Sequence, residues 1–194
     1  PLLAPSEPTI LGHFLNAQVA PERRPLPLTA FTPCFRTEAG AAGSKTRGAF
    51  RVHQFHKVEQ IVICQPDESQ HWLDECQRNV EDIMQALELP HRVVRACVGD
   101  LGAPAFKKYD TEAWFAGFGE FREPHSNSNL TDFQSRRLRL RPTDAYVRRL
   151  FPHPLSSPSV TYRVFVSLFE DLLALALSPS CALPVGRPAP PPVP

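Results

Sequence analysis

The 194-residue sequence has no surplus of charge of either sign: 21 Lys and Arg stand against 20 Asp and Glu, a formal net charge of +1. A polycationic surface that holds nucleic acid by bulk charge is excluded, so a charged partner must be met by a local cluster. Cysteine is scarce. Cys34, Cys64, Cys76, Cys97 and Cys181 are an odd number with no CxxC pair, which argues against a disulfide framework or zinc ribbon and for a reducing, cytoplasmic compartment. No GxxxxGK[ST] occurs and no GxGxxG follows a strand, so neither a P-loop nor a Rossmann phosphate cradle is expected. The most apolar run, Val164–Leu177, is short for a membrane span and carries Glu170 and Asp171. It reads as part of a buried helix over Tyr162–Leu177. The opening PLLAPSEP has no basic n-region and no initiator Met, as at a cut or fragment boundary.

Proline is plentiful, with 22 residues crowded towards the two ends. Residues 1–30 are weakly periodic. Leu26–Phe35 reads as a strand interrupted by Pro33, and Ala49–Cys64 as a second strand; the small, flexible EAGAAGSKTRG between them reads as a long hairpin loop. The clearest helix follows. Trp72, Leu73, Cys76, Val80, Ile83, Met84 and Leu87 recur at helical spacing, with Asp67 or Ser69 as cap and Pro90 beyond the end. HRVVRACVG, YDTEAWFAGFGEF and TDFQSRRLRLR read as three further strands, and PHPLSSPSV as a loop. Strands joined mostly in sequence, with one helix among them, predict an α+β domain on an antiparallel sheet. The proline-rich 178–194 reads as a disordered tail on a domain covering 1–177.

The chemistry concentrates between Thr32 and Gln60, where Arg36, Glu38, Lys45, Arg47, Arg51 and Glu59 crowd together. Arg36 and Glu38 are two apart on one strand and so share a face, with Glu59 on the partner strand. A sheet face bearing an arginine and two carboxylates is costly to bury and natural as the floor of a polar-ligand site. The planar guanidinium suits phosphate or carboxylate oxygens, a glutamate takes an ammonium or an exocyclic amine, and Phe55 could stack a base. His53 and His56 lack Cys or carboxylate neighbours at ligand spacing, which favours a hydrogen-bonded structural role. Cys34 reads as a small buried filler, Tyr109–Glu112 as sheet support, and Arg136–Arg141 as a strand with one wet face.

The stretch FRTEAGAAG, then TRG, then RVHQFHKVE resembles motif 2 of the class II aminoacyl-tRNA synthetases, the seryl-tRNA synthetase (serine–tRNA ligase) family in particular. KKYDTEAW, FRE and SNSNLTDFQSRR resemble a second segment of that family in the same order. The resemblance covers roughly residues 26–141, with weaker likeness beyond. It implies an antiparallel catalytic core that activates L-serine with ATP to seryl-adenylate and transfers it to tRNA(Ser). Arg36 would hold the α-phosphate and the serine carboxylate, and Arg163, from a degenerate motif 3, the γ-phosphate; these two would be the catalytic residues. Thr37, Glu38, Val52 and Phe55 would complete the adenosine site. Glu123 and Ser126 would hold Mg2+ and phosphates, with the backbone of Pro124 and His125 between them. Glu7 and Glu59 would bind serine. The family also implies a homodimer, although its motif 1 is not found among these residues.

The pattern breaks at two places. Pro5 stands where the family's serine-binding loop has threonine, and Pro158 stands at the corresponding motif 3 threonine. Proline brings neither hydroxyl nor N–H. An impaired synthetase-like ATP-binding or interaction protein, or a ligase for another amino acid, is therefore an alternative expectation.

Overall fold

The computed structural model describes residues 6–37, 52–142, 161–164 and 168–169. The expectations for Pro5, Glu38, Lys45, Arg47, Arg51, Pro158, the hairpin loop, the PHPLSSPSV loop, residues 170–177 and the 178–194 tail lie outside them.

The architecture is α+β, as the sequence predicts. β2 (Leu26–Phe35), β3 (Gln54–Cys64), β4 (His91–Arg95), β5 (Lys107–Phe115), β6 (Glu120–Asn129) and β8 (Thr161–Val164) form a sheet in the order β2-β3-β8-β6-β5-β4, and β9 (Leu168–Phe169) adds to β3. Every pairing in it is antiparallel. β1 (Gln18–Val19) and β7 (Arg141–Pro142) make a separate parallel pair. β2 runs unbroken through Pro27 and Pro33 and has β3 as its one partner among the described residues; an edge strand tolerates the missing N–H. Gly119, at φ +67° in the turn between β5 and β6, supplies the left-handed conformation that closes that hairpin.

α2 (Ser69–Ala86) covers one face of the sheet. Its buried residues Leu73, Cys76, Gln77, Val80 and Met84 keep the helical period. Neither Asp67 nor Ser69 caps it; the cap position is Glu68, whose carboxylate accepts instead from the Gln65 N–H at 3.1 Å. The opposite face packs Ile61 and Ile63 against Leu11, Leu130 and Leu140. Leu11 belongs to α1 (Glu7–Gly12), which the weak periodicity of residues 1–30 concealed. Its proline falls in the first turn, where no intrahelical N–H is needed.

Three expectations are corrected. YDTEAWFAGFGEF is not one strand: β5 ends at Phe115, a turn closes at Gly119, and β6 begins at Glu120. Thr131–Arg141 is not a strand: Phe133–Leu138 form α3, which ends at Arg139 in the left-handed region. The alternating sequence folds this way because Asp132 pairs with Arg136, and Arg137 lies 3.3 Å from the Phe133 ring centroid. Both contacts are four residues apart, a spacing only a helix brings together. Tyr162–Val164 and Leu168–Phe169 are strand, not helix. β8 fills the centre of the sheet, giving the facing edges of β3 and β6 a partner.

Candidate functional site

The site is built on the face opposite α2. Directly paired residues of an antiparallel ladder share a face, and the β2–β3 register pairs Cys34 with Phe55, Thr32 with Lys57 and Ala30 with Glu59. Along β3 this face changes from apolar at Ile63 and Ile61, through Glu59 and Lys57, to Phe55. Glu59 and Phe55 are thus about 13 Å apart.

Glu59 is fully buried and Lys57 is 9 % exposed. Lys57 Nζ lies 2.8 Å from Glu59 Oε1. The contact is an ion pair, and among the described residues Oε1 has no aligned hydrogen bond. The Ser6 hydroxyl, at the start of α1, donates to Glu59 Oε2. Glu7 is next in sequence. Burial first, and then the Glu59 charge, push its carboxyl above the usual range, while the Gln134 amide donating to Glu7 Oε1 at 2.9 Å opposes the rise. The described charges here are two carboxylates and one ammonium. That balance favours a further cation.

At the other end of β3, the exposed Arg36 guanidinium lies 4.7 Å from the ring centroid of buried Phe55. Its backbone N–H donates to the His53 carbonyl at 2.8 Å. A ligand arriving here meets the stacked guanidinium before the phenyl ring. Thr37 and Val52 flank it in irregular backbone. The histidines are engaged structurally: His53 Nδ1 is 3.1 Å from the Arg36 carbonyl, and His56 stacks on Phe31 at 5.2 Å. Cys34 is fully buried.

β6 carries the third group. Thr111 pairs with His125, but Ala113 pairs with Arg122, so Glu123 and Pro124 together oppose Glu112. This bulge turns Glu123 onto the face of Ser126, which it would not share in a regular strand. Ser126 pairs with Asp110. The Asp110 and Ser126 side chains lie beside Glu123, whose carboxyl is pushed up to about 7. Loss of water around the carboxyl is the first cause and the Asp110 charge the second; Lys108, 2.9 Å from Asp110 Oδ2, opposes them. Glu123 still reaches solvent, which screens part of the effect. The donor set is all oxygen, with one or two carboxylates beside a hydroxyl. It fits Mg2+, which keeps several waters and shares phosphate oxygens.

His125 points the other way. Its ring lies on the α2 side beside Thr111, is 2 % exposed, and has no hydrogen-bond partner on either nitrogen. Burial, with His91 second, lowers its pKa to about 3. On the same side the Gln77 amide donates to the Thr111 hydroxyl at 2.8 Å, and the Asn127 amide to the Leu73 carbonyl at 2.9 Å. At position 125 the site face is therefore offered backbone. Arg163 is placed by its backbone in β8, in register with Val62 and Asn129.

β8 separates β3 from β6, setting the Glu59 and Ser126 rows about 10 Å apart. Ser6, Lys57 and Asp110 were missed from sequence. Two had a signal: Lys57 is two residues from Glu59 on one strand, and Asp110 alternates with Lys108. Ser6 reaches Glu59 only through the docking of α1.

The sequence matches the family described as tRNA synthetase class II core domain (G, H, P, S and T) over residues 2–170. It is 48% identical over 172 residues to the serine–tRNA ligase of Thermococcus kodakarensis, covering 88% of this chain and 38% of that protein. Among solved structures it resembles the seryl-tRNA synthetase of Pyrococcus horikoshii complexed with ATP, with a TM-score of 0.79 and 41% identity, covering 90% of this chain and 38% of the other. It also resembles the cytoplasmic serine–tRNA ligase of Naegleria fowleri in complex with AMP, with a TM-score of 0.80 and 35% identity, covering 90% and 40%. The chain thus spans well under half the length of these relatives.

Proposed function

Because the chain belongs to the class II tRNA synthetase core-domain family, we propose that it forms the adenylate-binding part of a serine–tRNA ligase, with L-serine and ATP as substrates and tRNA(Ser) as acceptor. The observation that carries this reading is the order of groups on one sheet face: a buried carboxylate at Glu59, a stacked guanidinium at Arg36, and the oxygen set of Glu123 and Ser126 about two strands away. Glu59, with Glu7 beside it, takes the α-ammonium of serine. Arg36 holds the serine carboxylate and the α-phosphate together, so that the carboxylate oxygen attacks phosphorus and pyrophosphate leaves. Thr37, Glu38 and Val52 complete the adenosine site with Phe55; the register of β8 pairs Arg163 with Val62, which packs against α2, so the γ-phosphate role expected for Arg163 is not part of this reading. Glu123 and Ser126 would hold Mg2+, which when bound neutralises phosphate charge. Catalysis is positioning and electrostatic stabilisation, with no covalent enzyme intermediate. The functional unit is residues 1–177, with 178–194 as a tail, and it works as a homodimer in the cytoplasm.

A second reading is favoured by Pro5 and Pro158, which replace both expected threonines of the serine pocket. It retains ATP binding and loses serine activation. Serine-dependent ATP–pyrophosphate exchange separates the two. Exchange with serine alone supports the ligase. Exchange with another amino acid redirects the specificity, and no exchange from a folded chain that binds ATP establishes the second reading.

A further inference from the structure

Glu59 is the most deeply placed charge on the site face, at 0 % exposure. A charge buried there depends on partners the fold supplies, because an unpaired buried charge is strongly destabilising. Ser6 and Lys57 are those partners. A hydroxyl donates to either form of the acid, but only the ammonium opposes its charge. Among the described residues, the charged groups facing Glu59 are Lys57 on its own strand and Glu7 on α1. Glu7 is also acidic, so among the described residues the positive charge comes from Lys57.

We propose that Lys57 is the positioning residue of the amino-acid subsite: its ammonium pairs with the Glu59 carboxylate and fixes it in place, leaving Oε1 able to receive the α-ammonium of the bound amino acid. The proposal rests on the reading of Glu59 given above. The geometry has two consequences. The ammonium of Lys57 sits 2.8 Å from Oε1 without forming an aligned hydrogen bond, so an incoming donor shares that oxygen and does not have to evict the lysine. The pocket also carries more carboxylate than ammonium, so it selects ligands with a free α-amino group over isosteres that lack one.

The test uses two probes: seryl sulfamoyl adenosine, a non-hydrolysable adenylate analogue, and the same molecule without its α-amino group. Calorimetry on the chain gives the affinity ratio between them. The wild type is expected to prefer the amino form by about tenfold or more, the size of one charge-assisted hydrogen bond. Lys57→Met abolishes the preference while leaving affinity for the desamino probe within about twofold. Lys57→Arg, which keeps the charge, retains most of the preference. A Lys57→Met chain that keeps the wild-type ratio overturns the role of Lys57 and leaves the Glu59 reading intact. Should Lys57→Met fail to fold, Lys57→Arg decides: a ratio lost with the charge still present overturns the proposal. A wild type indifferent to the amino group, or one that binds neither probe, overturns the Glu59 reading and the inference with it. Glu59→Gln marks that baseline.

Discussion

Asp110 and Glu123, on neighbouring strands, present their carboxyl groups on one face because a bulge opposite Glu112 turns Glu123 onto the side that Asp110 and Ser126 share. Two carboxyls so close cannot both ionise freely, and a proton is retained on Glu123 up to about pH 7. The folded chain holds this proton more tightly than the unfolded chain does. The group's contribution to stability is therefore full below about pH 4.5 and is lost as pH rises through about 7. Asp110→Asn should lower the Glu123 midpoint in a carboxyl-carbon NMR titration and flatten this loss. Millimolar Mg2+ should raise the melting temperature more at pH 8 than at pH 6, because the ion competes with the proton. Equal shifts at both pH values would count against a divalent site at Glu123.

His125 is expected to make the fold sensitive to acid. Its folded pKa is depressed from 6.5 to about 3 by burial and by His91, whose own Nδ1 faces the Leu89 carbonyl at 2.9 Å. The unfolded chain takes up this proton first. Stability associated with His125 is complete above about pH 6.5 and falls as pH drops towards 3, by roughly 5 kcal/mol at most. Because neither ring nitrogen has a partner, His125→Phe removes no hydrogen bond. It should be near neutral at pH 7.5 and should leave urea-unfolding stability clearly less sensitive to acid between pH 6.5 and 4. An unchanged acid limb would mean that other groups dominate.

The long helix and the β2–β3 ladder were legible because each has one dominant period and one covered face. Gln77 marks where that legibility ends: a polar residue within the buried stripe of α2, explained only by the Thr111 hydroxyl 34 positions away. α3 was hidden because Arg137 over Phe133 and Asp132 with Arg136 are side-chain contacts, which overrode an alternating pattern that reads as strand. At the site, Arg36, Glu59, Glu123 and Ser126 were legible through residue type and motif order. The bulge that makes neighbours of Glu123 and Asp110 was not, because a register slip depends on both strands. Nor was the turn of the His125 ring towards α2, since a motif records which residue stands at a position and not the face it takes.

Ile61 and Phe31, on opposite faces of the sheet, differ in what they contribute to stability. Ile61 is fully buried between β3 and the Leu11–Leu130–Leu140 cluster, whereas Phe31 on β2 is 61% exposed. Ile61→Ala should cost about 2–5 kcal/mol through lost transfer and a residual cavity. Phe31→Ala should cost about 1 kcal/mol or less, chiefly its stacking on His56. Denaturant midpoints at constant m-value decide this. A large loss at Phe31 would show that the edge strand depends on that stack.

Arg36 and Phe55 should act as one unit in nucleotide binding. The guanidinium is exposed and lies over a buried ring, so the ring supports the position from which the arginine offers its donors. Arg36→Lys keeps the charge but loses the planar fork. It is expected to weaken ATP binding by about tenfold or more, while the melting temperature moves little, because an exposed cation–π contact is worth about 0.5–1 kcal/mol. Phe55→Leu removes the platform and leaves the arginine in place. It should weaken ATP binding by a similar factor and also destabilise the chain, since the ring is buried. If the ring acts through the guanidinium, the double variant binds ATP hardly worse than either single variant. Additive losses in that cycle would mean that Phe55 meets the base directly, and that Arg36 moves off the ring when nucleotide arrives.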